Sequence, residues 1–213
     1  MNVSKDTLRL YAVTDSQWLG SRTLPQAVEE AILGGATFIQ LREKRLDTSA
    51  CIEAAQQIKA VTDRYQIPFV VNDDVQAALA CGADGVHIGQ EDMQAADVRR
   101  MIGPDKILGV SAQTVEQALL AQANGADYLG VGAVFSTSTK ADAAEVPYDV
   151  LRAICQAVLI PVIAIGGIKT DNVRALQNSG IVGVAVVSGI FAAADIKAAA
   201  SELDTAVKAM LQA

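Results

Sequence analysis

Histidine and tryptophan occur once each in the 213 residues, cysteine three times and proline five times, and aromatic residues make up 4% of the chain. Trp18 and the few scattered Phe and Tyr residues are too sparse for a base-stacking platform. Cys51, Cys81 and Cys155 are odd in number, far apart and set in Ala-rich, helix-like surroundings. They read as buried small hydrophobes, which sets aside a disulfide framework or a cysteine metal site. No Lys/Arg run stands out; 17 basic against 24 acidic residues leave a net charge of −7. A nucleic-acid partner is therefore disfavoured, and any anion site must be local. No apolar run reaches membrane-spanning length, and MNVSKDTLRLYAV lacks the charged start, apolar block and cleavage site of a signal peptide. The expectation is a cytoplasmic enzyme with no membrane partner. The first strand-like run ends in Thr14-Asp15-Ser16 without a GxGxxG fingerprint, so a Rossmann or flavodoxin-like sheet is only the runner-up fold. The lone His87 has no nucleophile elbow to support a Ser-His triad, and it reads as a core or site-floor histidine in preference to a general base.

What is present is a long alternation. With 51% hydrophobic residues the chain can bury one sizeable core, so residues 1–213 read as one domain. Short Val/Ile-rich runs at Leu8–Val13, Thr37–Arg42, Phe69–Asn72, Gly85–Ile88, Ile107–Ser111, Tyr128–Val131, Val162–Ile165 and Gly183–Val187 are separated by Ala-rich, helix-period segments. Eight near-continuous apolar strands alternating with helices predict a parallel sheet closed into a (β/α)8 TIM barrel. A near-repeat supports this: Gly35-Ala36, Gly82-Ala83 and Gly125-Ala126, with Gly180-Ile181 in fourth place, each open an even-numbered strand. Pro68 and Pro161 enter strands 3 and 7, where a first-strand position tolerates the missing N–H.

In such a barrel the C-terminal strand ends form the site, and the loops after strands 7 and 8 commonly hold phosphate. Here those ends are Gly166-Gly167-Ile168, with a helix expected over 170–180, and Ser188-Gly189. Both suit an anion approached by backbone N–H groups. The other ends are strongly polar: Gln40-Leu41-Arg42-Glu43-Lys44, Asn72-Asp73-Asp74, His87 to Asp92, Ser111, and a Gly-Ser-Thr loop ending Thr137-Ser138-Thr139-Lys140. Asp73 and Asp92 follow neighbouring strands and suit Mg2+, which takes one or two carboxylates plus water and phosphate oxygens. Helix capping is the alternative role for each. Arg42, Lys44 and Lys140 could meet the same polyphosphate, while Glu43 is expected to face away or pair with a neighbouring cation. Gln40 and Asn72 offer amides to a heteroaromatic ring.

Together YAVTD, QLREK, VND, DGVHIGQEDM, ILGVSA, GADYLGVGAVFSTSTK, PVIAIGGI and VAVVSGI resemble the thiamine-phosphate synthase family, in order and over nearly the whole chain. The resemblance implies a transferase that joins an aminopyrimidine diphosphate to a thiazole monophosphate, carboxylated or not, giving thiamine monophosphate and pyrophosphate. It implies dissociative chemistry, in which the pyrimidine methylene leaves its diphosphate as a stabilised cation captured by the thiazole nitrogen. By motif position Gln40, Leu41, Arg42, Glu43, Lys44, Asn72, Ser111 and Lys140 resemble the pyrimidine-diphosphate contacts. Asp73 and Asp92 resemble the Mg2+ ligands, and Thr137, Ser138, Thr139, Gly167, Val187 and Ser188 the thiazole-phosphate contacts. Lys140, Lys44, Arg42 and Ser111 are the catalytic candidates. The partners implied are small phosphorylated molecules, with a homo-oligomer left open.

Four positions depart from that family's usual pattern: Asp74 stands for Arg, Gln113 for His, and Ser136 and Ser138 for prolines. A thiazole tautomerase, the nearest rival, needs acid-base work at the position of Gln113, which an amide cannot perform. A non-catalytic phosphometabolite-binding barrel is the rival of another class.

Overall fold

In the computed structural model, which describes residues 3–137 and 145–212, eight strands pair in parallel. They are β1 (Leu10–Val13), β2 (Phe38–Leu41), β3 (Phe69–Asn72), β4 (Gly85–Ile88), β5 (Ile107–Ala112), β6 (Tyr128–Val131), β7 (Val162–Ile165) and β8 (Gly183–Val186). Each pairs with the next and β8 closes on β1. The predicted strands at 69–72, 85–88, 128–131 and 162–165 coincide with the observed ones, and the others differ only at their ends. Every strand is buried on both faces, which is why its sequence is apolar throughout and lacks polar alternation.

Strand parity divides the core in two. Leu10, Ile39, Leu41, Val71, Val86, Val110, Val131 and Val184 face the helical layer, whereas Tyr11, Val13, Phe38, Val70, Ile107, Tyr128, Ile163 and Ala185 fill the barrel interior. Glycines supply the space that the interior rings need. A Cβ on Gly109 would lie 2.2 Å from Cζ of Tyr128.

The covering helices are α1 (Leu24–Leu33), α2 (Thr48–Tyr65), α3 (Val75–Ala80), α4 (Ala95–Ile102), α5 (Val115–Ala123), α6 (Tyr148–Ala157), α7 (Ser188–Phe191) and α8 (Ile196–Gln212). Thr23 and Gln26 form a capping box on α1, and Asp47, Asp74 and Thr114 cap α2, α3 and α5. Gly35, Gly82, Gly125 and Gly180 all have positive φ, between +71° and +112°. The repeat marks the same left-handed exit into each even strand.

The helix expected over 170–180 is instead a 3-10 turn, Val173–Leu176. Asn172 explains it: its Oδ1 accepts from Lys169 N at 2.8 Å and its Nδ2 donates to Gly167 O at 2.9 Å. These local bonds compete with helical ones, and Asn178 at φ 62° ends the turn. Cys51 is buried and Cys81 and Cys155 are partly buried, all unpaired. Burial pushes the Cys51 and Cys155 thiols up to about 11, in keeping with inert packing roles.

Candidate active site

A cavity of about 660 Å3 opens at the C-terminal ends of the strands. Of the residues proposed from sequence, Gln40, Arg42, Lys44, Asn72, Asp73, Asp92, Ser111, Thr137, Gly167, Val187 and Ser188 line it. Ser138, Thr139 and Lys140 lie outside the described residues. Leu41 is 1% exposed, belongs to the outer, helix-facing layer and does not line the cavity. Glu43 pairs with no cation among the described residues. It accepts from Thr14 Oγ1 at 2.8 Å and from Ser16 N at 3.1 Å, and Thr14 Oγ1 in turn accepts from Arg42 N at 3.0 Å. Glu43 therefore steadies the backbone beneath Arg42 and does not line the cavity.

The capping alternative fails for both candidate metal ligands. The cap on α3 is Asp74, which accepts from Ala77 N at 2.8 Å, while Asp73 sits at φ 63° and donates its N–H to His87 O at 2.8 Å. Helix α4 begins after Gln94 with no side-chain cap, and Asp92 Oδ2 accepts from Gly89 N at 2.7 Å. Burial, reinforced by the neighbouring Asp92 carboxylate and only partly opposed by Arg42, pushes the Asp73 carboxyl up to about 7. Two acids held together at such a cost fit a hard divalent cation that completes its shell with water and phosphate oxygens. No group of three or more His, Cys, Asp or Glu that could form an all-protein cage occurs among the described residues.

Across the cavity the two glycine turns abut. A Cβ on Gly189 would lie 2.8 Å from Ile168 O, which places the β8 turn against the β7 turn. Gly166 and Gly167 have φ of 102° and 65°, and a Cβ on Gly167 would come within 2.5 Å of Ser136 O and 2.8 Å of Phe135 Cβ. The loop after β6 is stitched to this turn by Val134 N to Ile165 O at 2.9 Å and Phe135 N to Gly166 O at 3.1 Å. Gln113, also on the cavity wall, donates from Nε2 to Gly132 O at 3.3 Å.

The floor is a buried hydrogen-bond chain that sequence reasoning did not assemble. Gln40 Nε2 donates to Tyr11 Oη at 2.8 Å, Tyr11 Oη meets Tyr128 Oη at 2.7 Å, Tyr128 Oη meets His87 Nδ1 at 2.9 Å, and His87 Nε2 meets Ser111 Oγ at 3.0 Å. Burial lowers His87 to about 4, so its ring is neutral near neutral pH, as suits a site-floor residue. Tyr11 was also missed, and Gln90, gathered among the polar strand ends but given no role, donates from Nε2 to Ser111 O at 2.5 Å. A usable signal existed for Tyr11 and Tyr128, since a tyrosine at an inward strand position must bring its hydroxyl to a partner.

The family model for thiamine monophosphate synthase matches residues 10–190. A thiamine-phosphate synthase of Ruminiclostridium cellulolyticum is 52% identical over 200 residues, covering 94% of this chain and 95% of the relative. One of Clostridium tetani is 52% identical over 194 residues, covering 91% and 93%. The solved thiamine phosphate pyrophosphorylase of Pyrococcus furiosus superposes with a TM-score of 0.89 at 40% identity, covering 97% of this chain and 98% of that one.

Proposed function

The chain belongs to the thiamine monophosphate synthase family, a transferase family, and from that premise we propose how its cavity joins an aminopyrimidine diphosphate to a thiazole monophosphate, with release of pyrophosphate. One observation carries the reading: a paired carboxylate site with Arg42 and Lys44 lies on one side of the cavity, and two abutting glycine turns lie on the other. Two separate anion sites suit two phosphorylated substrates.

Asp73 and Asp92 would hold Mg2+, which when bound supplies charge neutralisation to the diphosphate. Arg42 and Lys44, together with Lys140, take up the negative charge that grows on the leaving group as its bond to the pyrimidine methylene breaks. That interaction strengthens in the transition state and so contributes to rate. Gln40, Asn72 and Ser111 hold the pyrimidine ring. Thr137, Ser138, Thr139, Gly167, Val187 and Ser188 fix the thiazole phosphate, which aligns the ring nitrogen with the departing carbon. Alignment of two bound rings is a proximity effect, and no protein nucleophile is needed.

Residues 1–213 are read as one catalytic domain, cytoplasmic, acting on small molecules without nucleic-acid or membrane partners, with a homo-oligomer left open. No helix among the described residues is long and apolar enough to cross a membrane. The test is omission: purified protein is incubated with both substrates and Mg2+, then with each component withheld. Thiamine monophosphate is expected only in the complete mixture. Its absence there would overturn the reading.

A further inference from the structure

We propose that Tyr11, Tyr128 and His87 are positioning residues that work as one directed hydrogen-bond chain, setting Gln40 Oε1 as an acceptor and the Ser111 hydroxyl as a donor toward the pyrimidine. The inference rests on the reading above that Gln40 and Ser111 hold that ring.

The direction follows from donor counting. The Gln40 amide nitrogen can only donate, so Tyr11 Oη accepts from it at 2.8 Å. Each phenol has one proton. Tyr11 therefore spends its own on Tyr128 at 2.7 Å, and Tyr128 donates to His87 Nδ1 at 2.9 Å. With Nδ1 accepting, the proton of the neutral ring sits on Nε2 and is donated to Ser111 Oγ at 3.0 Å. Two groups at the chain's ends remain for a ligand. Gln40 Oε1 makes no hydrogen bond among the described residues, and the Ser111 hydroxyl proton is free to leave the chain; both residues line the cavity. An aminopyrimidine presents N–H donors on its amino group beside a ring-nitrogen acceptor, which complements this pair. Reversing the Gln40 amide would reverse every bond, leaving the site with the opposite polarity.

The chain is built into the barrel and is not incidental to it. A Cβ on Gly109 would lie 2.3 Å from Tyr128 Oη and 2.5 Å from His87 Nδ1, and one on Gly130 would lie 3.2 Å from His87 Cε1. Both inward strand positions are thus kept vacant where the His87–Tyr128 bond runs. Tyr11 and Phe38 pack at 4.5 Å between centroids, and Tyr128 lies 5.9 Å from Tyr11 and 5.5 Å from the His87 ring, so the rings have little room to rotate out of line.

His87 is the only histidine, so untagged, 15N-labelled protein at neutral pH gives one imidazole whose tautomer is read directly by two-bond 1H–15N correlation. The expected result is the Nε2–H form; the Nδ1–H form would overturn the proposed direction. Tyr128→Phe keeps the ring but removes the donor to Nδ1, and should mix the tautomers. It should also lower kcat/KM for the pyrimidine diphosphate by about ten- to a hundredfold while leaving KM for the thiazole phosphate unchanged. Tyr11→Phe leaves Tyr128 able to donate to His87, so the Nε2–H form should persist. If the two variants gave the same tautomer, the chain would carry no polarity. The tautomer is measured without substrate, so an inactive wild-type protein would sink the functional reading separately.

Discussion

Lowering the pH should weaken divalent-metal binding through Asp73 in particular. Its carboxyl is pushed up to about 7, chiefly by burial and then by Asp92. A metal needs the carboxylate, so protons compete with it below that value. At pH 6 about one Asp73 in ten is ionised, and the apparent affinity should be about tenfold weaker than its plateau above pH 8. Metal binding should release about one proton at pH 6, about half a proton at pH 7 and about a tenth at pH 8. Titration calorimetry with Mg2+ or Mn2+ in two buffers of different ionisation enthalpy counts those protons. The sign for stability follows from the same shift. A carboxyl raised on folding holds its proton more tightly in the native state, so metal-free protein loses stability as pH rises from the ordinary carboxylate range through about 7. Added Mg2+ should therefore raise Tm more at pH 8 than at pH 6. Asp92→Asn, which can still accept from Gly89 N, should bind metal more weakly and move the proton-release midpoint downward. Flat affinity and no proton release between pH 6 and 8 would refute the assignment of Asp73 as a ligand.

Ser188→Ala should raise KM for the thiazole phosphate by about tenfold, with KM for the pyrimidine diphosphate unchanged. Gly167→Val, by contrast, should lower Tm and impair both substrates, because its side chain would strike Ser136 and Phe135. Lys140→Ala should slow the bond-forming step in single-turnover experiments by roughly two to three decades, more than it weakens substrate binding. Arg99 donates to Gly103, Lys106 and Gly125 carbonyls and to Asp127, with only 19% of its side chain exposed. Arg99→Met should cost about 3–5 kcal/mol, roughly 6–20 °C in Tm, with activity at low temperature retained.

Much of this molecule was legible because its physics is periodic. Strands buried on both faces must be apolar along their length, and positive-φ exits need glycine, so the eight strands and the barrel followed from runs and the repeat at Gly35, Gly82, Gly125 and Gly180. Their place at the C-terminal strand ends carried Gln40, Arg42, Asn72 and Ser111 into the cavity. What resisted reading depended on single-residue geometry. Asp73 and Asp74 are equally good caps by composition, and only the backbone turn at Asp73 decides that Asp74 caps α3. The role of Asp74, which stands where the family pattern often has Arg, is thereby explained: an arginine could not accept the Ala77 N–H. Leu41 was placed with its neighbours in QLREK, but adjacent strand residues face opposite ways; Glu43 was expected to face away, and its partner Thr14, on another loop, could not be read from the motif. The Tyr11–Tyr128 contact joins residues 117 positions apart, beyond any local pattern.

That two phosphorylated rings meet in one cavity and join there with loss of diphosphate is checked by following all the phosphorus in one tube. Purified protein, both substrates and Mg2+ are monitored by 31P NMR. Thiamine monophosphate and pyrophosphate should appear in equal amounts, and neither should form when either substrate is withheld. Pyrophosphate released without thiamine monophosphate would mean that water, and not the thiazole nitrogen, captures the pyrimidine, contradicting the proposed alignment of the two sites.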